Sequence, residues 1–312
     1  MSLLDDVGAP VLPGAAICLE ECLVVLSRFT GAVNVFDLSG TFIRAIQGVF
    51  GALALCSARK ADIFYVAFTD RIEAYHAQQQ PRGPLLRWTV ETVGSSVGLL
   101  PFASITVDLQ DSVYFAAYAP LQKALQQGSS AALAAVLSVG VLVQVLDRNG
   151  RLSRAFRAEV PCVSACSLAI HPTKQVVYLS GGELAKAGQV CTVHAFDTAG
   201  SRLPEKTVFG RKNSVESCIS GIAFDLLGAM YVSVRDALPR DASAERKAEA
   251  SSCRIEAYTA ATNARADYIL GVRPCHVSVD DRNRLLLSDA DANTVHIMHN
   301  LADGTALPIN AR

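Results

Sequence analysis

One three-residue phrase, a large apolar residue, a small one and another large one, recurs six times along the chain. The copies are Ile17-Cys18-Leu19, Leu53-Ala54-Leu55, Ile105-Thr106-Val107, Leu168-Ala169-Ile170, Ile222-Ala223-Phe224 and Val277-Ser278-Val279. A second apolar run follows each, and then a four-residue phrase: aliphatic, polar, aliphatic or Ala, large hydrophobe. These third phrases are Val33-Asn34-Val35-Phe36, Ile72-Glu73-Ala74-Tyr75, Val143-Gln144-Val145-Leu146, Val193-His194-Ala195-Phe196, Ile255-Glu256-Ala257-Tyr258 and Val295-His296-Ile297-Met298. Self-similarity of this kind marks a repeat architecture, because one such unit cannot bury its apolar face alone.

In the last four units a constant step of six residues joins the first phrase to the second run: Val107 to Val113, Ile170 to Val176, Phe224 to Met230, Val279 to Leu285. A constant step predicts a constant hairpin, and the residues between are turn formers such as Asp108-Leu109-Gln110-Asp111 and His171-Pro172-Thr173-Lys174. Continuous apolar second runs predict strands buried on both faces. The third phrases alternate, which suits a more peripheral strand whose polar residue looks toward the blade surface or the cleft between blades. Asp37 to Gly40, Asp147 to Gly150 and Asp197 to Gly200 each spell Asp-x-x-Gly, a further hairpin, and a fourth strand comes after it.

Six units of four antiparallel strands predict an all-β fold, a six-bladed β-propeller, as one domain over residues 1–312. The blades fall at about 16–48, 49–101, 102–160, 161–210, 211–271 and 272–312. Residues 3–7 are expected beside 305–309 in the last blade, clasping the ring. Blade 3 also carries a stretch over 120–137 rich in helix formers and broken by Gly128-Ser129-Ser130, which predicts a short helical insertion. Leu121 and Leu125, and Leu133 and Leu137, are i, i+4 neighbours there, so each short helix would bear an apolar stripe that either folds back on the rim or meets a partner. Blade 5 carries a charged segment over 235–252, read as a solvated loop.

Gly221-Ile222-Ala223-Phe224-Asp225 followed by Met230-Tyr231-Val232-Ser233, Arg71-Ile72-Glu73-Ala74-Tyr75, Arg254-Ile255-Glu256-Ala257-Tyr258 and Ser288-Asp289-Ala290-Asp291 through Ile297 resemble the NHL repeat over almost the whole chain. The resemblance implies a propeller and leaves activity open, since that fold hosts lyases, lactonases, RNA readers and docking platforms. WD-repeat propellers fit worse, with no Trp-Asp pair closing a third strand.

Composition narrows the functional classes. Half the residues are hydrophobic, 18% are charged and the net charge is −1, so no global attraction to nucleic acid or anionic lipid is expected. Nine cysteines, an acidic N-terminus without an apolar leader and no apolar stretch long enough to span a bilayer predict reduced thiols and an intracellular, cytoplasmic protein that does not insert in membranes. Cys18-(x)3-Cys22 and Cys162-(x)3-Cys166 have ligand-like spacing without a second knuckle, and buried thiols are the simpler reading.

Asp108, Asp225 and Asp280 follow the inner phrases of units three, five and six, and His171 takes that place in unit four. Around a channel mouth these could form a metal or acid/base ring, or each could cap its own turn. The metal-dependent lactonase propellers place a Glu-Gly-Pro phrase in the first blade, whereas this chain has Glu20-Glu21 with no Gly-Pro. No nucleophile elbow or phosphate loop occurs and no cofactor is expected. The expected function is a non-catalytic protein-interaction module or structural subunit with other proteins as partners. The alternatives are a metal-dependent hydrolase or lyase working at the channel mouth and an RNA-binding NHL propeller.

Overall fold

The computed structural model describes residues 11, 13–19, 22–27, 30–46, 49–58, 63–68, 71–76, 85–91, 103–118, 141–160, 167–185, 188–209, 216–237, 253–258, 265–269 and 274–298. They form six antiparallel sheets arranged as the blades of a β-propeller, each built from consecutive strands. Blade 1 holds β1 (Pro13–Leu19), β2 (Cys22–Ser27), β3 (Val33–Asp37) and β4 (Phe42–Ala45), and blade 2 holds β5 (Ala54–Ser57), β6 (Ile63–Ala67), β7 (Arg71–His76) and β8 (Leu85–Glu91). Blade 3 holds β9 (Ala103–Val107), β10 (Val113–Tyr118), β11 (Val141–Leu146) and β12 (Leu152–Ala158), and blade 4 holds β13 (Leu168–Ile170), β14 (Val177–Ala185), β15 (Gly188–Phe196) and β16 (Arg202–Phe209). Blade 5 holds β17 (Glu216–Phe224), β18 (Met230–Ala237), β19 (Cys253–Tyr258) and β20 (Arg265–Ile269). Blade 6 has three described strands, β21 (Pro274–Val279), β22 (Leu285–Asp289) and β23 (Thr294–Met298). The predicted insertion with Leu121, Leu125, Leu133 and Leu137, the 238–252 part of the charged loop and both partners of the expected clasp lie outside the described residues.

The first strands of the six sheets line the axis, and successive ones pack against each other all the way round, β21 closing on β1. Cores sit in the clefts between blades. In blades 3 to 6 the large residues of the inner phrase face the preceding blade: Ile105 and Val107 pack with Tyr65 and Ile72, and Ile222 and Phe224 with Ala169 and Val193. The small middle residue faces the following blade, as Ala223 does beside Leu287. The phrase therefore sets a large surface against a small one at each cleft, which lets twisted sheets nest at the density of a protein interior.

Two of the six copies are out of frame. The bond from Ala58 N to Ile63 O (2.8 Å) closes the blade 2 hairpin as Asp108 N to Ser112 O (3.1 Å) closes that of blade 3, so Leu55-Cys56-Ser57 is the true counterpart of Ile105-Thr106-Val107. In blade 1 Ala16 and Cys18 pack against blade 6 while Ile17 faces blade 2, which makes Ala16-Ile17-Cys18 the equivalent. A shift of one residue along a strand exchanges its faces. Blade 4 departs as well: Ile170 pairs with Val177, so its hairpin is one residue longer than the six-residue step predicts, and Gln175 absorbs the extra residue at φ 53°.

The polar residues of the third strands lie in the clefts. Asn34, Glu73, Gln144, His194 and Glu256 are buried on the side of the preceding blade. The identical pentapeptides of blades 2 and 5 make the same network: Arg71 Nε and Arg254 Nε each donate to a Glu Oε1 at 2.7 Å, and Tyr75 and Tyr258 hydroxyls donate to the other oxygen at 2.6 and 2.7 Å. Period two places residues i, i+2 and i+4 of a strand on one face, so Arg, Glu and Tyr meet without help from another element. In blade 4 His194 serves instead, with Arg202 Nη2 donating to Nδ1 (2.7 Å) and Thr192 Oγ1 2.8 Å from Nε2.

The clefts leave little slack. A Cβ on Gly221 would stand 2.8 Å from both the backbone N and the Cγ1 of Val277 in the next blade. Gly221→Ala is expected to lower stability by about 1–3 kcal/mol in urea unfolding, with little change of slope. An unchanged midpoint would mean that blades 5 and 6 can separate at no cost.

Candidate functional site

The hairpins joining first and second strands surround one end of the channel, and they are where the sequence placed its candidate ring. Asp108 Oδ1 accepts the backbone N–H groups of Gln110 and Ser112, both at 2.8 Å. Asp225 Oδ1 does the same for Leu227 (3.0 Å) and Ala229 (2.7 Å), and Asp280 Oδ1 for Arg282 (3.0 Å) and Arg284 (2.7 Å). The residue two positions before the second strand takes a left-handed conformation, Asp111 at φ 61°, Gly228 at 87° and Asn283 at 60°. An Asx cap followed by a left-handed residue is the local solution to a three-residue reversal.

The second carboxylate oxygens of Asp225 and Asp280 are also engaged. Tyr231 donates to Asp225 Oδ2 at 3.3 Å, and Arg284 Nε to Asp280 Oδ2 at 2.6 Å. Tyr114 stands six residues after Asp108 as Tyr231 does after Asp225, and burial first, with the Asp108 carboxylate adding to it, pushes its hydroxyl pKa up. An Asp-(x)5-Tyr spacing was thus the sequence signal for these partners. His171 imitates the Asp cap: its Nδ1 lies 3.3 and 3.2 Å from the N–H groups of Thr173 and Lys174 and accepts from them. Among the described residues no three His, Cys, Asp or Glu side chains are placed to hold one metal ion. The four candidates share a mouth without sharing a centre.

These hairpins are tied to one another from blade 3 round to blade 1. Gln175 Nε2 donates to Gln110 Oε1 (2.8 Å), linking blades 4 and 3. The His171 ring lies against Phe224, with centroids 5.2 Å apart, and above Gly228, where any Cβ would come within 2.7 Å of it. Leu226 N donates to Asn283 Oδ1 (3.0 Å), linking blades 5 and 6. Arg284 then reaches Cys18 Sγ at 3.1 Å while held by Asp280, and Ser278 Oγ donates to the Ala16 carbonyl at 2.7 Å. Burial pushes the Cys18 thiol up to about 11 against the pull of Arg284, so it is a protonated acceptor at neutral pH. Cys18 and Cys22 face opposite sides of blade 1, which removes them as a ligand pair; the side chains of Cys162 and Cys166 lie outside the described residues.

The channel behind this mouth encloses about 80 Å³. Its walls are the inner phrases plus Ser104, Ser167 and His276, which precede the phrase in blades 3, 4 and 6, and among the described residues no Asp, Glu, Lys or Arg lines it. His276 is half-buried and borders the channel, and burial lowers its pKa from 6.5 to about 4. Nothing local in the sequence singles out His276, since its place in the channel depends on how the ring closes.

Two outcomes follow for stability. The unfolded chain binds a proton at His276 near pH 6.5 and the folded protein only near 4, so the neutral form's contribution is complete above 6.5 and lost as pH falls toward 4. The loss is at most about 3 kcal/mol. Asp37, held low first by the Ser39 hydroxyl, and Asp147 and Asp197, held low first by the backbone N–H groups of Arg151 and Ser201, keep their contributions until pH drops below their usual 3.8. Denaturant midpoints between pH 7 and 4.5 should therefore decline in the native protein and decline less in His276→Gln. At the seam, Arg284→Ala should cost about 1–3 kcal/mol in thermal unfolding, because it leaves Asp280 buried without its cation.

No protein-family model matches the chain, and no curated protein matches it. Among solved structures, a protein of unknown function from Bacteroides caccae superposes with a TM-score of 0.52 at 8% identity, over 86% of this chain and 82% of that one. A streptogramin B lyase structure superposes with a TM-score of 0.48 at 10% identity, over 90% and 92% of the two chains. At such identities the first likeness is one of fold alone, and the second carries no inference about activity.

Proposed function

We propose that the protein is a non-catalytic interaction module or structural subunit of an intracellular assembly, built on NHL-like repeats and docking through its faces and rim insertions. The observation that carries this reading is the use made of the mouth carboxylates: Asp108, Asp225 and Asp280 each spend Oδ1 on two backbone N–H groups of their own turn. A hydrolase or lyase at this mouth would need those oxygens turned toward a shared substrate or metal. The same hairpins raise apolar side chains into solvent, Leu226 at 40% and Leu227 at 71% exposure, next to the charged tip Asp281-Arg282 of blade 6. Paired exposed leucines beside polar groups are a common make-up for the centre of a protein contact.

The test is affinity purification at native expression, comparing the intact chain with Leu227→Arg and with deletion of 120–138. Both variants should keep the thermal midpoint within about 2 °C, since surface changes seldom cost more. A stoichiometric partner of the intact protein should be lost from at least one of them. Unfolding of the deletion variant would make the insertion part of the core. Stoichiometric divalent metal in the purified protein, or association with RNA that weakens steeply with salt, would replace the docking reading with the enzyme or the RNA-binding one.

A further inference from the structure

The channel wall carries more hydrogen-bonding capacity than packing uses. Ser104 and Ser167 hold equivalent positions in blades 3 and 4, and each Oγ accepts a backbone N–H from the next blade, of Leu168 at 3.0 Å and of Ile222 at 2.9 Å. A hydroxyl that accepts in this way still has its proton to donate. His276 holds the same position in blade 6, and its Nδ1 is enclosed without a partner among the described residues. A buried N–H without an acceptor is rarer than a lone pair without a donor, which places the imidazole proton on Nε2. Three neutral donors from blades 3, 4 and 6 thus border one cavity.

The character of a ligand follows from what the wall lacks. With no charged side chain among the described lining residues, an ion inside would forgo its hydration without a counter-charge. Asp108, Asp225 and Asp280 at the mouth further disfavour anions, and among the described residues only Asp280 of the three is paired with an arginine. A volume of about 80 Å³, at roughly 10–15 Å³ for each water-sized group, admits about five to eight non-hydrogen atoms. We infer that the channel is a binding site for a small uncharged solute bearing a hydrogen-bond acceptor, an amide or similar carbonyl compound, with Ser104, Ser167 and His276 as its donors.

The test uses the intact wild-type protein with ¹⁵N-labelled histidine, titrated separately with N-methylacetamide, acetate and methylammonium, and His276→Gln to assign the signal. N-methylacetamide should shift the His276 ring nitrogens saturably, with half-saturation on the order of a millimolar for a ligand of this size. His171 and His194, outside the channel, should not move, and the two ions should bind about tenfold more weakly or not at all. Ser104→Ala and Ser167→Ala should each weaken binding about three- to tenfold. If the serine variants unfold, the wild-type titrations decide alone. Shifts that grow linearly and equally at all histidines, or saturation by acetate before N-methylacetamide, would overturn the assignment, the second by making the channel an anion site.

Discussion

Six inner strands crowd one axis, and the fit of each against its two neighbours is the constraint on which the rest of the molecule depends. A twisted sheet set face to face with another leaves a wedge that narrows toward the axis, so the residues nearest the channel cannot be large on both sides. The chain meets this by giving one face of the inner strand to large residues and the other to small ones, Ile222 and Phe224 against Ala223 in blade 5. At the closest approach even a methyl group is too much, and Gly221 abuts the backbone of Val277. Blade 1 reverses the arrangement, with Ala16 and Cys18 toward blade 6 and Ile17 toward blade 2. The seam there carries polar links as well: Ser278 to Ala16, and Asp280 through Arg284 to Cys18.

Inner strands have one edge with no strand beside it, and an unpaired edge is a liability wherever it is shielded from water. Ser104 and Ser167 answer it by accepting N–H groups from the next blade, so the bond that satisfies the edge also locks adjacent blades together. Farther out, the clefts hold buried polar sets on third strands: Arg-Glu-Tyr in blades 2 and 5, and Thr-His-Arg in blade 4. Each set is nearly local in sequence. Buried polarity of this kind resists sliding, because a slip of one residue would exchange the two faces of the strand and strand every partner.

The architecture was legible because strand period and turn chemistry are local properties. Third strands, Asp-x-x-Gly turns and the four-strand order all stand where the residue pattern puts them, and the Asp positions after the inner phrases behave as turn caps. Frame was harder. Leu53-Ala54-Leu55 and Ile17-Cys18-Leu19 satisfy the large-small-large pattern in sequence, yet hairpin pairing shifts the first by two residues and cleft packing shifts the second by one. Hydrophobicity alone does not say which face of a doubly buried strand looks which way. The channel wall was hidden for a related reason: Ser104, Ser167 and His276 sit at one register in three distant segments, and only closure of the ring makes them neighbours of one space.

An aspartate that caps its own hairpin constrains little besides itself. It needs backbone N–H groups two and four residues on, which any amino acid other than proline supplies, so the residues at the tip are released from structural duty. The tips differ accordingly: Leu109, Thr173-Lys174, Leu226-Leu227 and Asp281-Arg282 crown frames of nearly equal geometry. The links from Gln175 to Gln110, from His171 to Gly228 and from Leu226 to Asn283 hold these frames at fixed spacing around the mouth. Rigid frames with unconstrained tips are what a surface needs in order to acquire specificity for a partner without loss of stability, and the carboxylates that give the frames their rigidity are thereby committed to that task. The uncharged channel behind them has no such commitment, and its unspent donors are the part of the molecule that packing does not explain.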